Sequence, residues 1–210
     1  VKELLKVNPA AIGRAVAVLR DGGLVAYPTE TYYGLGADPF NQAALDKLYR
    51  LKNRDQQLPI LVVVAGSMAC QRLTEGPLPA DFHRLAARFW PGPLTLVCTA
   101  HRQLPQTLTG STGTIGMRHS SHPVAQQLTE AFGGPVTATS ANISGLPAAT
   151  TAQQVAAVFS QGLDLILDGG PTPGLKGSTL IGCGHERLEY LREGVIPFAT
   201  IDKAMQEDKP

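Results

Sequence analysis

Short apolar runs alternate along this chain with segments whose hydrophobic residues recur at helical spacing, and that alternation constrains the fold more than any other feature. GLVAY at 23–27, PILVVV at 59–64 and LTLVCT at 94–99 read as buried strands. Asn8 and Pro9 supply a cap and first turn for a helix carrying Ile12, Ala15, Val16 and Leu19, which stops at Gly22. Asn41 caps a second helix with Leu45, Leu48 and Leu51 as its apolar stripe. Further helices fit 80–89, 123–132 and 152–159, and further strands fit 114–118, 136–140, 163–167, 178–181 and 188–192. This order predicts an α/β domain. Several strands in a row near the C-terminus predict a mixed sheet with antiparallel members.

The 210 residues suffice for one large domain, and no repeat, linker or low-complexity block divides them. Hydrophobic residues make up 43% and charged residues 17%, with a mean hydropathy of +0.00. No apolar run approaches the ~20 residues of a membrane span, and the start VKELLKVNPAA lacks a basic stretch followed by an apolar one, so no membrane association and a cytoplasmic location are expected. The formal charge of +1 does not suggest a bulk nucleic-acid binder. Cys70, Cys98 and Cys183 form no C-x-x-C pair and read as core thiols. His83, His101, His119, His122 and His185 form no H-E-x-x-H or triad pattern. GGPTPGLK misses a P-loop because Leu175 separates Gly174 from Lys176, and no G-x-G-x-x-G follows a strand. Covalent catalysis and the common dinucleotide and P-loop folds are therefore not indicated.

What the sequence does offer is polar groups at strand ends. Pro28 to Gly36, PTETYYGLG, sets two threonine hydroxyls, a carboxylate and two glycines after an apolar strand, the place where open α/β sheets bind ligands. The run reads equally as an ordinary strand-to-helix turn. Lys52 and Arg54 suit the negative end of a helix dipole, and also suit a polyphosphate. Period-2 alternation places Thr114, Gly116 and Arg118 on one strand face, where the arginine needs water or an anion. Ser140 and Asn142 end another strand, Ser178 opens one and Arg192 closes one. Hydroxyls, an amide and isolated cations are groups that orient a small polar substrate beside a nucleotide.

AYPTETYYGLGAD, LYRLKNR, FWPGPLTLV, TIGMRHSSHP, TSANISG and GSTLI, in this order, resemble the YrdC-like threonylcarbamoyl-adenylate synthases across residues 12–194. The resemblance implies one YrdC-like domain over 1–210, a twisted mixed α/β sheet with flanking helices around a concave cationic cavity. It implies a nucleotidyltransferase that joins L-threonine, bicarbonate and ATP, with Mg²⁺ on the nucleotide. The product would be threonylcarbamoyl-AMP, with release of pyrophosphate, for a downstream tRNA-modifying transferase complex. Carried over residue by residue, Thr31, Arg118, Ser140 and Ser178 would hold the threonine, Arg118 on its carboxylate. Lys52, Arg54, Thr114, Asn142, Thr150 and Arg192 would contact the nucleotide. The chain departs from the family after Arg54, where a proline, an asparagine and a histidine are common and Asp55, Leu58 and Val63 stand here. An alternative of another class is an RNA-binding module of the same fold, gripping RNA weakly through the same concavity.

Overall fold

In the computed structural model, which describes residues 1–184 and 188–207, the strands divide between two mixed sheets. In chain order the elements begin β1 (Glu3–Lys6), α1 (Pro9–Arg20), β2 (Val25–Pro28), β3 (Tyr33–Gly36), α2 (Gln42–Lys52) and β4 (Val62–Val63). A 3₁₀ turn (Ser67–Arg72) leads to α3 (Ala80–Phe89), β5 (Leu94–Thr99), α4 (Gln106–Thr109), β6 (Thr114–Arg118) and α5 (Pro123–Phe132). The chain closes with β7 (Val136–Thr137), β8 (Thr139–Ser140), α6 (Ala152–Val158), β9 (Leu165–Asp168), β10 (Thr179–Gly182), β11 (Glu189–Arg192) and α7 (Phe198–Glu207). The first sheet is ordered β1-β9-β2-β3-β8 and the second β11-β10-β5-β6-β4-β7. Strand β9 runs parallel to both β1 and β2, β10 to β5, and β6 to β4; the remaining pairs are antiparallel.

Local chemistry sets the helix limits. The Asn8 side chain accepts from Ala11 N at 2.8 Å with Pro9 in the first turn, and Asn41 accepts from Ala44 N at 3.1 Å. Helix α2 ends on Asn53, which adopts the left-handed conformation at φ 49°, one of the few places where asparagine substitutes for glycine. The sequence reading matches α3, α5, β5 and β6 residue for residue.

Three differences matter for the site. The run Pro28 to Gly36 is not a strand-to-helix turn, because Tyr33–Gly36 folds back on β2 as a hairpin partner, with Pro28 opposite Tyr33. Its tip is closed by Thr29, whose N and Oγ1 both donate to Tyr32 O, at 3.1 and 2.7 Å. The strand expected at 136–140 is split at Ala138, so that Val136–Thr137 pairs in the second sheet and Thr139–Ser140 in the first. Thr137 secures the crossing: its Oγ1 accepts from Ala37 N at 2.8 Å and donates to Leu35 O at 3.2 Å. Third, the run at 59–64 contracts to Val62–Val63, because Pro59 has no donor and Ile60 N is diverted to Leu108 O.

Strand periodicity then decides what each face meets. Val25, Tyr27, Leu165 and Leu167 turn toward α1 and α5 and pack with Ile12, Leu19, Val124 and Leu128. Leu24, Ala26 and Ile166 turn the other way, into a larger cluster with Leu94, Leu96, Ile115, Met117 and Ile181 of the second sheet. Both faces of the first sheet are thus covered. The alternate residues of the second sheet, Thr95, Val97, Thr114, Gly116 and Arg118, line a cavity. The three cysteines are free and buried as expected, and burial pushes the Cys70 thiol up to about 12. His185 lies outside the described residues.

Candidate functional site

The cavity over the second sheet has a volume of about 810 Å³, within the ~300 to 1,000 Å³ usual for small-molecule sites. Strands β5 and β6 make its floor, the β2–β3 tip and residues 138–142 one wall, and residues 176–180 and 189–193 another. Of the contacts expected from sequence, Thr31, Arg54, Thr114, Arg118, Ser140, Asn142, Ser178 and Arg192 all line it. Lys52 and Thr150 do not. The lining also carries Lys176, Glu189 and Glu193, together with Tyr32 of the PTETYYGLG run and with Leu146, Ala148 and Leu191, apolar wall that no sequence motif announced.

Arg118 is delivered by the alternation of β6, with its side chain only 4% exposed. Its Nη1 lies 3.0 Å from Glu30 Oε1 and donates to Thr31 Oγ1 at 3.2 Å. Ser120 Oγ donates to the other oxygen of Glu30 in a short contact. Glu30, to which the sequence reading gave no role, is therefore the counter-ion of Arg118. In sequence the two charges stand 88 positions apart, Glu30 between two threonines and Arg118 between Met117 and His119, and nothing local links them. Nε of Arg118 and Nε of Arg54 are buried without a partner. Such orphan donors are costly unless something else satisfies them.

The hydroxyl protons can be assigned from the network. Thr29 donates to Tyr32 O, so the 3.0 Å contact between Thr29 and Thr31 has Thr31 as donor. Thr31 also accepts from Arg118, which leaves it a lone pair and no proton for a ligand. Ser178 shares a 2.8 Å hydrogen bond with Thr95. Arg192 Nη2 donates to Ser178 O at 2.8 Å, and among the described residues no carboxylate pairs with it. Burial, and then the charge of Arg118, lower the Arg192 pKa, and both guanidinium groups belong to residues that line the cavity. Arg54 donates from Nη2 to Pro59 O at 2.9 Å.

Lys52 is buried behind the cavity wall and is not among its lining residues. Its ammonium donates to Ser140 O in a short contact, to Asn142 O at 2.7 Å and to Asn142 Oδ1 at 3.0 Å. Three protein oxygens thus accept from its amine. Burial, and then the charge of Arg54, push Lys52 down to about 7. Thr150 donates to Gln154 Oε1 at 3.0 Å at the start of α6 and stands against the 171–176 loop, where a Cβ on Gly174 would lie 2.2 Å from its methyl. The glycines of the hairpin divide as well. Gly34 lines the cavity, whereas a Cβ on Gly36 would lie 2.9 Å from Tyr27 Cε1 and Val136 Cγ1, so Gly36 makes room for the core and not for a ligand.

The residues that depart from the family pattern have local explanations. Asp55 caps a turn by accepting from Gln57 N at 2.9 Å, Leu58 is half exposed, and Val63 is buried in the cluster under α1 and α5. Among the described residues, no thiol or imidazole lines the cavity, and no three His, Cys, Asp or Glu side chains gather as metal ligands. The arrangement orients: guanidinium groups and orphan N–H donors stand next to hydroxyl lone pairs, Arg118 on Thr31 and Arg192 on Ser178.

Residues 17–194 match the Sua5/YciO/YrdC family model, whose description is telomere recombination. The chain is similar to the threonylcarbamoyl-AMP synthase of Pyrococcus abyssi, with 37% identity over 193 residues, 92% of this chain and 56% of that protein. It is similar to the enzyme of the same name from Bacillus subtilis, with 39% identity over 204 residues, 96% of this chain and 58% of that one. Among solved structures it superposes on P. abyssi Sua5 complexed with L-threonine at a TM-score of 0.92 and 35% identity, covering 99% of this chain and 61% of the other. The chain thus spans somewhat over half the length of these relatives.

Proposed function

The chain belongs to the Sua5/YciO/YrdC family, and we propose that it forms threonylcarbamoyl-AMP and pyrophosphate from L-threonine, bicarbonate and ATP, as a nucleotidyltransferase whose product serves tRNA modification. One observation carries the reading. Residues scattered from Thr31 to Arg192 converge on a single cavity, whose lining includes all four residues expected at the threonine and four of the six expected at the nucleotide.

Catalysis on this reading is positioning plus charge stabilisation. Arg118 takes the substrate carboxylate. Thr31 and Ser140 accept from its amine; bicarbonate sheds hydroxide to give carbon dioxide, the amine nitrogen bonds to that carbon, and the proton it loses leaves with the hydroxide as water. The carbamate oxygen then attacks the α-phosphate of ATP, a P–O bond forms, and the bond to the departing pyrophosphate breaks. Arg54 and Arg192 face the phosphates and offset the charge on the leaving group. The apolar wall of Tyr32, Leu146 and Leu191 limits water, to which the mixed anhydride is labile. The described residues build no resident metal cage, so Mg²⁺ enters this reading as part of the nucleotide substrate, where it neutralises phosphate charge. The product passes to a tRNA-modifying transferase complex.

The test is pyrophosphate release from ATP by purified protein with Mg²⁺ present. The reading expects release only when threonine and bicarbonate are both supplied. Release that ignores threonine, or none at all, rejects it.

A further inference from the structure

Lys52 sits in the last turn of α2, and its environment fixes more than its own position. The atom of Asn142 that lies 3.0 Å from Lys52 Nζ is the amide oxygen, which accepts from the lysine; the reversed amide would set that oxygen against the Leu146 carbonyl. The other amide atom, Nδ2, donates to Leu146 O, which can only accept. Both neighbours therefore enforce one orientation of the Asn142 amide. In that orientation Oδ1 faces Ser140 Oγ at 2.6 Å. An amide oxygen cannot donate, so the Ser140 hydroxyl must spend its only proton on Asn142.

We propose that Lys52 is a positioning residue that sets the hydrogen-bond polarity of Ser140: through Asn142 it turns the Ser140 hydroxyl into an acceptor, selecting a ligand that presents an ammonium or amine there. The inference rests on reading the cavity as an amino-acid site. The amine of Lys52 ends on three protein oxygens, Ser140 O, Asn142 O and Asn142 Oδ1. The link is reinforced along the backbone, where Ser144 N donates to Lys52 O at 2.9 Å, so the helix end and the 140–144 segment hold each other at two points. Thr31, with its proton committed to Thr29, presents the same polarity from the β2–β3 tip on the same wall. Two acceptor hydroxyls beside Arg118 form a site with matched ends, one for a carboxylate and one for an amine.

The distinguishing ligand is 3-hydroxybutyrate, which keeps the carboxylate and hydroxyl of threonine and lacks its amine. Calorimetric titrations of the full chain, with competition where binding is weak, compare L-threonine and 3-hydroxybutyrate on wild type, Lys52→Met and Asn142→Leu. Wild type is expected to prefer threonine, and that preference is expected to fall at least tenfold in each variant, with no further fall when the two are combined. The ratio of ATP to AMP affinity is expected to stay at its wild-type value in Lys52→Met. A folded Lys52→Met protein with the wild-type preference for threonine overturns the inference, as does one that loses ATP affinity tenfold more than AMP affinity. If Lys52→Met does not fold, Asn142→Leu decides by the same criterion. Wild-type protein that binds threonine but yields unchanged ratios in the variants overturns this inference alone. Wild-type protein that binds no threonine overturns the amino-acid site and the inference with it.

Discussion

Removing Arg118 separates the stability of the site from its function. The Arg118–Glu30 pair is buried at 3.0 Å, with side chains 4% and 12% exposed. At an effective dielectric of about 20 its gross attraction is about 5.5 kcal/mol, most of which offsets the desolvation of the two charges. Arg118→Met therefore loses little favourable net energy from the pair itself. What it leaves is a carboxylate with Ser120 as its remaining side-chain hydrogen-bond donor. Breaking a buried pair from one side costs ~3 to 5 kcal/mol. For a chain of this size the lower value is a fall in Tm of roughly 6 to 12 °C. Adding Glu30→Gln removes the stranded charge while keeping an oxygen that accepts from Ser120. The double variant should recover at least half of the lost stability, and neither variant should bind threonine. Thermal melts followed by circular dichroism give the first quantity and calorimetry the second. Arg118→Met that melts with wild type, or a double variant no more stable than the single one, would refute the assignment of Glu30 as the counter-ion.

Two further outcomes follow from named contacts. Because burial lowers Lys52 from 10.5 to about 7, the unfolded chain holds a proton there that the folded chain has lost between those values. Wild-type stability should therefore rise with pH relative to Lys52→Met from pH 7 to 10, by up to about 1.4 kcal/mol per unit, and urea melts with a flat difference between pH 7 and 9 would contradict it. Gly36→Ala should cost ~1 to 3 kcal/mol because its new methyl meets Tyr27 and Val136 at 2.9 Å, whereas Gly34→Ala, with its nearest neighbour at 3.7 Å, should melt near wild type; equal melting points would refute the distinction.

Most of the architecture was legible because binary patterns and caps are local. Helices α3 and α5 and strands β5 and β6 are bounded by signals within a few residues, such as Pro123 at a first turn and Gly133 at a C-terminal cap. The hairpin of β2 and β3 was hidden because Pro28 and the polar tip imitate a strand end, and the deciding information is the long-range pairing of Leu35 with Thr139. The split of 136–140 was hidden for the same reason: the continuous run VTATS carries no mark of which sheet each half joins. At the site, alternation placed Arg118 correctly, since orientation on a strand is a local property. It could not place Lys52, whose direction depends on carbonyls some ninety residues away in sequence. Glu30 was missed because a counter-ion is defined only by the fold that brings it within 3.0 Å.

The central claim is that one cavity holds the amino acid, with Arg118 at its carboxylate end and Thr31 and Ser140 at its amine end. The most direct measurement is a crystal structure of the chain soaked with L-threonine. The account predicts threonine over β6, its carboxylate on the Arg118 guanidinium and its nitrogen within hydrogen-bond distance of Thr31 Oγ1 or Ser140 Oγ. Threonine bound elsewhere, or bound in this cavity with its carboxylate away from Arg118, would contradict it.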